Sequence, residues 1–203
     1  MNPPGTATTR APVHDVRAYR AADAAACLAL FDGNTPDYFA PGERADFARF
    51  LDALAGEHGY LVIEAAGRVV ACGGLTLSPD GTAGFCWGMV ARQRQRQGLG
   101  RQLALARLQQ ARQHPQVRQV VLSTSQHTEA FYAGLGFRVT GRVANGHGPG
   151  LDAVDTDARG WGLYRAAHYD ELVDCPVEMG RFWRGSFEVG GVPHEFVVAG
   201  AAS

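Results

Sequence analysis

The sequence predicts a mixed α/β domain, an α+β arrangement built on a mixed sheet, followed by a β-rich C-terminal extension. Three observations carry that expectation. Short apolar, β-branched runs alternate with segments whose apolar residues recur at helical spacing. A glycine- and arginine-rich turn, "ARQRQRQGLGRQL" at residues 91–103, joins one such run to one such helix in mid-chain. The composition, 46% hydrophobic and 19% charged over 203 residues, suits one well-cored domain with an appendage.

Residues 1–12 are rich in Pro, Thr and Ala and read as a disordered N-terminus. "VRAYRAAD" reads as a short strand, with Asp23 as the cap of the helix "AAACLALFD". "GNTPDYFAPGE" is a turn-rich loop. A second helix, "RADFARFLDALAGEH", places Phe47, Phe50, Leu51 and Leu54 on one stripe. "YLVIEAAGRVVACGGLTL" reads as a hairpin turning near Ala66-Gly67, and "TAGFCWGMVA" as a further apolar strand. Leu99, Leu103, Ala106 and Leu108 give a sheet-packed helix that ends near His114-Pro115. "VRQVVLSTS" is a β-branched strand, "HTEAFYAGLGF" a short helix closed by Gly134 or Gly136, and "RVTGRV" a last strand. The expected order is β-α-α-β-β-β-α-β-α-β.

Charge narrows the partners. All 19 basic residues are Arg, a composition bias that lowers the weight of any single Arg, and the net charge is −1. No global field steers the chain to nucleic acid or to an anionic membrane. Four arginines nevertheless crowd residues 91–103 with no acidic neighbour. Nucleic-acid binding needs basic residues spread along a face with interleaved aromatics, and here they are confined to one turn. An ordinary solvated face accounts for the Arg/Gln alternation but not for Gly98 and Gly100 at a helix start, where Gly costs ~1 kcal/mol. A cradle for one small polyanion accounts for both: main-chain N–H groups converge at a helix N-terminus, and the absent Cβ atoms let the anion approach.

"Gln95-Arg96-Gln97-Gly98-Leu99-Gly100" resembles the Q/R-x-x-G-x-G/A pyrophosphate loop of the GNAT superfamily of N-acetyltransferases. "TSQHTEAFYAGLGF" is similar to a second signature of that family, and the likeness spans residues 13–157 in the family's element order. The resemblance implies the GNAT acyl-CoA N-acyltransferase fold, acetyl-CoA as co-substrate, and direct transfer to an amine of a small molecule, without a metal. It implies cofactor binding by Met89, Val90, Gln95, Arg96, Gln97, Gly98, Leu99, Gly100 and Arg101, with Val90 facing the pantetheine arm. Arg92 stands where the family often has Pro.

Acyl transfer sets three tasks: stabilising an oxyanion, protonating a departing thiolate, and using a neutral amine. A main-chain N–H near Met89 or Val90 suits the first. Tyr132 matches the family's phenol and is the expected proton donor; its alternative is a core Tyr on a short helix. The third lacks an assigned base, because "TAGFCWGMV" carries no carboxylate. Glu64 and Asp37 are the candidates, beside a water chain to bulk solvent. Asp37, Tyr38 and Phe39 lie in the region that covers the acceptor in this family, and Trp87 either lines that side or fills the core. A Cys86–His127 pairing has no supporting spacing.

Cys27, Cys72, Cys86 and Cys175 are scattered, with no C-x-x-C pair, and no signal pattern or membrane-length apolar run occurs. The expected setting is cytoplasmic, with neither nucleic-acid nor membrane partners. Residues 158–203 form the extension. Within it "YDELVDCPVEMG" and "GVPH" resemble a fragment of the N-terminal domain of glycyl-aminopeptidase-like zinc peptidases. "HEFVV" lacks the second His of H-E-x-x-H, so no metal site is expected. The tail's two β-like runs, with Phe182, Trp183, Phe187 and Phe196, are expected to dock by extending the sheet, covering the acceptor cleft or making a homodimer contact. A non-catalytic acyl-CoA-binding or sensing domain, and an interaction module acting through the tail, are the alternative functions.

Overall fold

The structure is a computed structural model that describes residues 14–56, 58–159, 183–189 and 192–198. The N-terminal segment, Cys175 and Phe182 fall outside the described residues.

The chain begins with β1 (Asp15–Ala18) and α1 (Ala24–Asn34). Asp23 does not cap α1 with its own side chain; it belongs to a preceding helical turn, and its carboxylate accepts the Arg20 N–H at 2.8 Å. It also takes two bonds from the Arg17 guanidinium, at 2.7 and 2.9 Å, which fasten β1 to the start of α1. Helix α1 buries Cys27, Leu30, Phe31 and Asn34, the i, i+3, i+4, i+7 face of an amphipathic helix. Helix α2 (Arg44–Ala53) buries Phe47, Phe50 and Leu51. Leu54, expected on that stripe, is 42% exposed, because the helix stops at Ala53 and Leu54 leaves helical geometry at φ −124°.

Strands β2 (Leu61–Ala65) and β3 (Arg68–Leu77) form the expected hairpin. Both of its turn residues, Ala66 (φ 50°) and Gly67 (φ 72°), take the left-handed conformation that such two-residue turns need. Next come β4 (Thr82–Val90), α3 (Leu99–Arg112), β5 (Gln119–Thr124) and α4 (Glu129–Gly134). Gly136, at φ 92°, ends the turn after α4. β6 (Arg138–Gly148) and β7 (Leu151–Arg159) complete a seven-stranded sheet of order β1-β2-β3-β4-β5-β7-β6. β4 and β5 pair in parallel through the α3 crossover, and the other pairs are antiparallel.

β7 was not expected. Asp152, Asp155 and Asp157 give it poor strand propensity. Its alternation nonetheless buries Val154, Thr156 and Ala158 while Asp155 stays exposed, and this lets it insert between β5 and β6. The β2–β4 half of the sheet is covered on both faces. One core gathers Cys27, Phe31, Phe47, Phe50, Tyr60 and Met89 beneath α1 and α2. On the α3 side, Leu99 and Leu103 pack on Leu61 and Ile63, while Leu108 joins Val120, Leu122 and Phe137. Ala106 is only partly covered; Arg107 takes the buried place, 2% exposed. In the extension, β8 (Trp183–Val189) and β9 (Val192–Val198) pair antiparallel as a separate two-stranded sheet.

Candidate active site

The sheet opens at its middle. β4 pairs with β5 only from Thr82↔Gln119 to Gly84↔Val121, yet β4 continues to Val90 and β5 to Thr124. A bulge causes the divergence: the register with β3 shifts between Cys72↔Met89 and Gly74↔Cys86, and Trp87 there takes φ 45°. A bulge bends its strand and increases the local twist. Arg107 packs behind it, its guanidinium 4.0 Å from the Phe85 ring centroid. A Cβ at Gly88 would meet Arg107 Nη1 at 2.9 Å, so the glycine is what admits the guanidinium.

Beyond the bulge, the Ala91 N–H donates to the Val70 carbonyl at 2.8 Å. Main-chain groups alternate along a strand, so those of Val90 point away from β3 into the gap. The Val90 carbonyl accepts Asn34 Nδ2 at 3.0 Å, which leaves the Val90 N–H as the group presented to the gap.

The segment from Arg92 to Gly98 then turns the chain into α3. Arg96 (φ 60°) and Gly98 (φ 84°) are both left-handed, and Gly98 stands at the N-cap with open space about its Cα. The first intrahelical bond to Gly98 comes from the Gln102 N–H, at 2.9 Å. The amides of residues 99–101 therefore have no helical acceptor, and the helix dipole reinforces them. Arg94 Nε is also buried without a hydrogen-bond partner. Together these groups suit an anion. A Cβ at Gly100 would lie 3.5 Å from Phe131 Cζ and 3.7 Å from Val90 Cγ2, so α3, α4 and the end of β4 converge there.

The expected residues fall as follows. Val90 and residues 95–101 surround the gap and the helix start. The Leu99 and Met89 side chains are core, so only their main chains are available to a ligand. Gln97 donates to the Gln93 carbonyl at 3.2 Å, and Arg96 is exposed. Tyr132 lies on α4 beside Phe131, 9% exposed, its ring edge-on to Phe131 and Phe137 at 4.9 and 5.6 Å. Asp37 is ion-paired to Arg92. Glu64 lies far from the gap, on β2, where it accepts Arg17 Nε at 3.1 Å and Nη2 at 2.9 Å. Asn34, Arg94, Arg107 and Phe131 were missed. Of these Asn34 had a signal, as the i+7 position of the stripe begun at Cys27, and Arg94 belongs to the Arg-rich turn of residues 91–103.

On the α1–α2 side, an open trough of about 370 Å³ lies at the neck of the gap, lined by Gly84, Val121, Ser123, Thr140 and Asp155 among others. Ser123 Oγ and His147 Nε2 are 3.4 Å apart. A Cβ at Gly148 would lie 3.4 Å from Ala40 Cβ, so the β6–β7 turn meets the α1–α2 loop. Across the gap Tyr38 meets His127 edge-on, ring centroids 6.0 Å apart. Trp87 is half-buried and packs on Phe39 at 6.3 Å and Phe47 at 5.0 Å. Burial pushes the Cys86 thiol up to about 11 against the opposing pull of Arg107, so at neutral pH it is protonated and not a nucleophile. Among the described residues no group of three or more His, Cys, Asp or Glu is placed to hold a metal ion. No helix there is long and apolar enough to cross a membrane.

Comparison with solved structures finds the same fold. The ribosomal-protein-S18-alanine N-acetyltransferase of Escherichia coli superposes with a TM-score of 0.61 at 18% identity, covering 71% of this chain and 92% of its own. yncA of Salmonella typhimurium, solved with its cofactor acetyl-CoA, gives 0.60 at 20% identity, covering 73% and 94%. Rv2747 of Mycobacterium tuberculosis, in complex with CoA and NLQ, gives 0.52 at 25% identity, covering 64% and 74%. No curated protein sequence matches the chain. The acetyltransferase (GNAT) family matches residues 27–137, more than half of the 203 residues, and the chain belongs to that family.

Proposed function

We propose that the protein transfers an acetyl group from acetyl-CoA to an amine of a small-molecule acceptor. The observation that carries this reading is the opened β4–β5 pair, with the Val90 N–H at one end and the N-terminus of α3 beside Gly98 at the other. These groups fit a ligand that joins a diphosphate to an extended amide-bearing arm. Residues 95–101 would hold the phosphates, with Arg94 and Arg96 beside them, and the arm would run along the gap past the main chain of Val90. When bound, acetyl-CoA supplies an activated thioester.

The chain's own groups divide the remaining work. The Val90 amide donates toward the oxygen that gains charge as the amine nitrogen bonds to the acetyl carbon. Tyr132 gives its phenolic proton to the sulfur as the carbon–sulfur bond breaks, and is reprotonated from solvent. The trough carrying Ser123 and Asp155, with His147 beside Ser123, receives the acceptor, and the amine proton leaves through it to solvent. Asp37 is held by Arg92 and Glu64 by Arg17, so neither is given the role of base.

That pairing of both carboxylates favours one second reading, a non-catalytic acyl-CoA-binding domain. Thiol release from acetyl-CoA, followed over a panel of small primary amines, separates the two. Acceptor-dependent release supports transfer; tight acetyl-CoA binding with no release for any amine supports the sensor. We assign residues 13–157, together with the last two residues of β7, to the acetyltransferase domain and the rest of residues 158–203 to a non-catalytic β-rich extension. His194 and Glu195 lie on strand β9, not on the helix that an H-E-x-x-H site requires.

A further inference from the structure

We propose that Asn34 is a positioning residue for the acyl-CoA cradle, and that through Gln95 and Tyr38 it couples the loop over the acceptor side to that cradle. The proposal rests on reading residues 89–101 as the cofactor site and goes beyond it.

Asn34 is the last residue of α1 and is 2% exposed. A buried amide has to satisfy its donors and its acceptor, and this one does so on separate elements. Its Nδ2 donates to the Leu30 carbonyl at 2.8 Å and to the Val90 carbonyl at 3.0 Å. Its Oδ1 accepts from Gln95 Nε2 at 3.0 Å. Gln95 Oε1 accepts from Tyr38 Oη at 3.3 Å, and the Tyr38 N–H returns to the Asn34 carbonyl at 2.9 Å. The circuit is closed and its polarity fixed, since turning either amide over sets oxygen against oxygen. Outside the circuit the Asp37–Arg92 ion pair repeats the link, and the Arg92 guanidinium lies 5.8 Å from the Tyr38 ring centroid. Tyr38 also reaches His127 on the far side of the gap.

Residues 34–38 thus touch the end of β4, the loop before α3, and the connection from β5 to α4. By holding the Val90 carbonyl, Asn34 aims the N–H of that residue into the gap. By holding Gln95, it sets the loop that leads to Gly98. A ligand that fixes residues 92–98 therefore also fixes residues 35–40, and thermodynamic linkage makes the effect mutual.

Hydrogen exchange and calorimetry on the full chain, with acetyl-CoA as probe, test the proposal. In the wild type, acetyl-CoA should slow amide exchange in residues 35–40. Tyr38→Phe removes one hydroxyl from a half-buried loop residue, so its fold is retained. It should reduce the slowing and weaken acetyl-CoA binding by about three- to tenfold, the worth of one hydrogen bond. Asn34→Asp keeps the size and the acceptor for Gln95 but turns a carboxylate oxygen toward the Val90 carbonyl. It should lose more than Tyr38→Phe, and adding Tyr38→Phe to it should cost little further. If acetyl-CoA binds the wild type and Tyr38→Phe equally and leaves residues 35–40 unmoved, the circuit is static packing and the proposal falls while the cofactor reading stands. If acetyl-CoA does not bind the wild type, the cofactor reading fails and the proposal with it.

Discussion

Gly84 and Val121 are the last residues at which β4 and β5 pair, and every group we assign to the chemistry lies beyond them. A parallel pair that continued would bury its own main-chain groups in a ladder. By parting here, the sheet leaves the Val90 amide without a strand partner. The bulge at Trp87 is the means, and Arg107, packed behind Gly73 and Gly88, fills the space that the bulge creates.

The two glycines of the loop should respond in opposite ways. At Gly98, φ 84° disfavours any side chain, so Gly98→Ala should lower stability by about 1–2 kcal/mol and weaken acetyl-CoA binding. At Gly100 an added Cβ makes ordinary contacts at 3.5 and 3.7 Å within a helix. Gly100→Ala should therefore leave stability unchanged or raise it by up to ~1 kcal/mol. Denaturant unfolding of both variants checks the contrast.

Tyr132 packs between Phe131 and Phe137, and Phe fills the same volume. Tyr132→Phe should fold normally and bind acetyl-CoA as the wild type does. Its kcat should fall by about 10²-fold or more if the phenol donates the proton. Steady-state kinetics with an accepted amine read the difference, and an unchanged kcat would return Tyr132 to a purely structural role.

Arg107 is a buried cation whose Nε and Nη1 have no hydrogen-bond partner. A buried guanidinium with two unsatisfied N–H groups is costly, whereas its stem and its stacking on Phe85 are favourable. Arg107→Met keeps the volume and should be neutral to stabilising. Arg107→Ala opens a cavity and should cost about 2–4 kcal/mol. Thermal melting of the pair decides it: equal losses would mean that the guanidinium itself is required.

Asp23 links acid stability to the first turn. The Arg17 hydrogen bonds, outweighing desolvation and aided by the Arg20 amide, hold its carboxyl below the usual carboxylate range. Its folded pKa is thus lower than the unfolded value of about 3.9, so its stabilisation is full above that pH. It is lost as pH falls through the depressed folded value. Asp23→Asn should be less stable at neutral pH by about 1–3 kcal/mol, with a shallower decline below pH ~4. Unfolding midpoints measured between pH 2 and pH 7 test the slope.

Much of this architecture was legible in the chain. The hairpin at Ala66-Gly67, most of the stripe of α3 and the helix start at Gly98 follow from local rules of turn chemistry, periodicity and helix termini. What was not legible depends on contacts between distant segments. β7 hid behind its aspartates, because its strand character comes from pairing with β5 and β6 on either side. Arg107 reads as a solvated helix residue until Gly73 and Gly88 are brought opposite it. Asn34 could have been found by carrying the stripe of α1 two residues past Asp32, but its partners at Val90 and Gln95 are tertiary.

The proposed function requires that residues 89–101 hold acetyl-CoA. Thermal melting with and without acetyl-CoA, with free CoA and ATP as controls, tests it most directly. Ligand at ~100 times its dissociation constant should add ~2.7 kcal/mol, a rise of several degrees, for acetyl-CoA and CoA but not for ATP. An unchanged melting temperature at millimolar acetyl-CoA would contradict the claim.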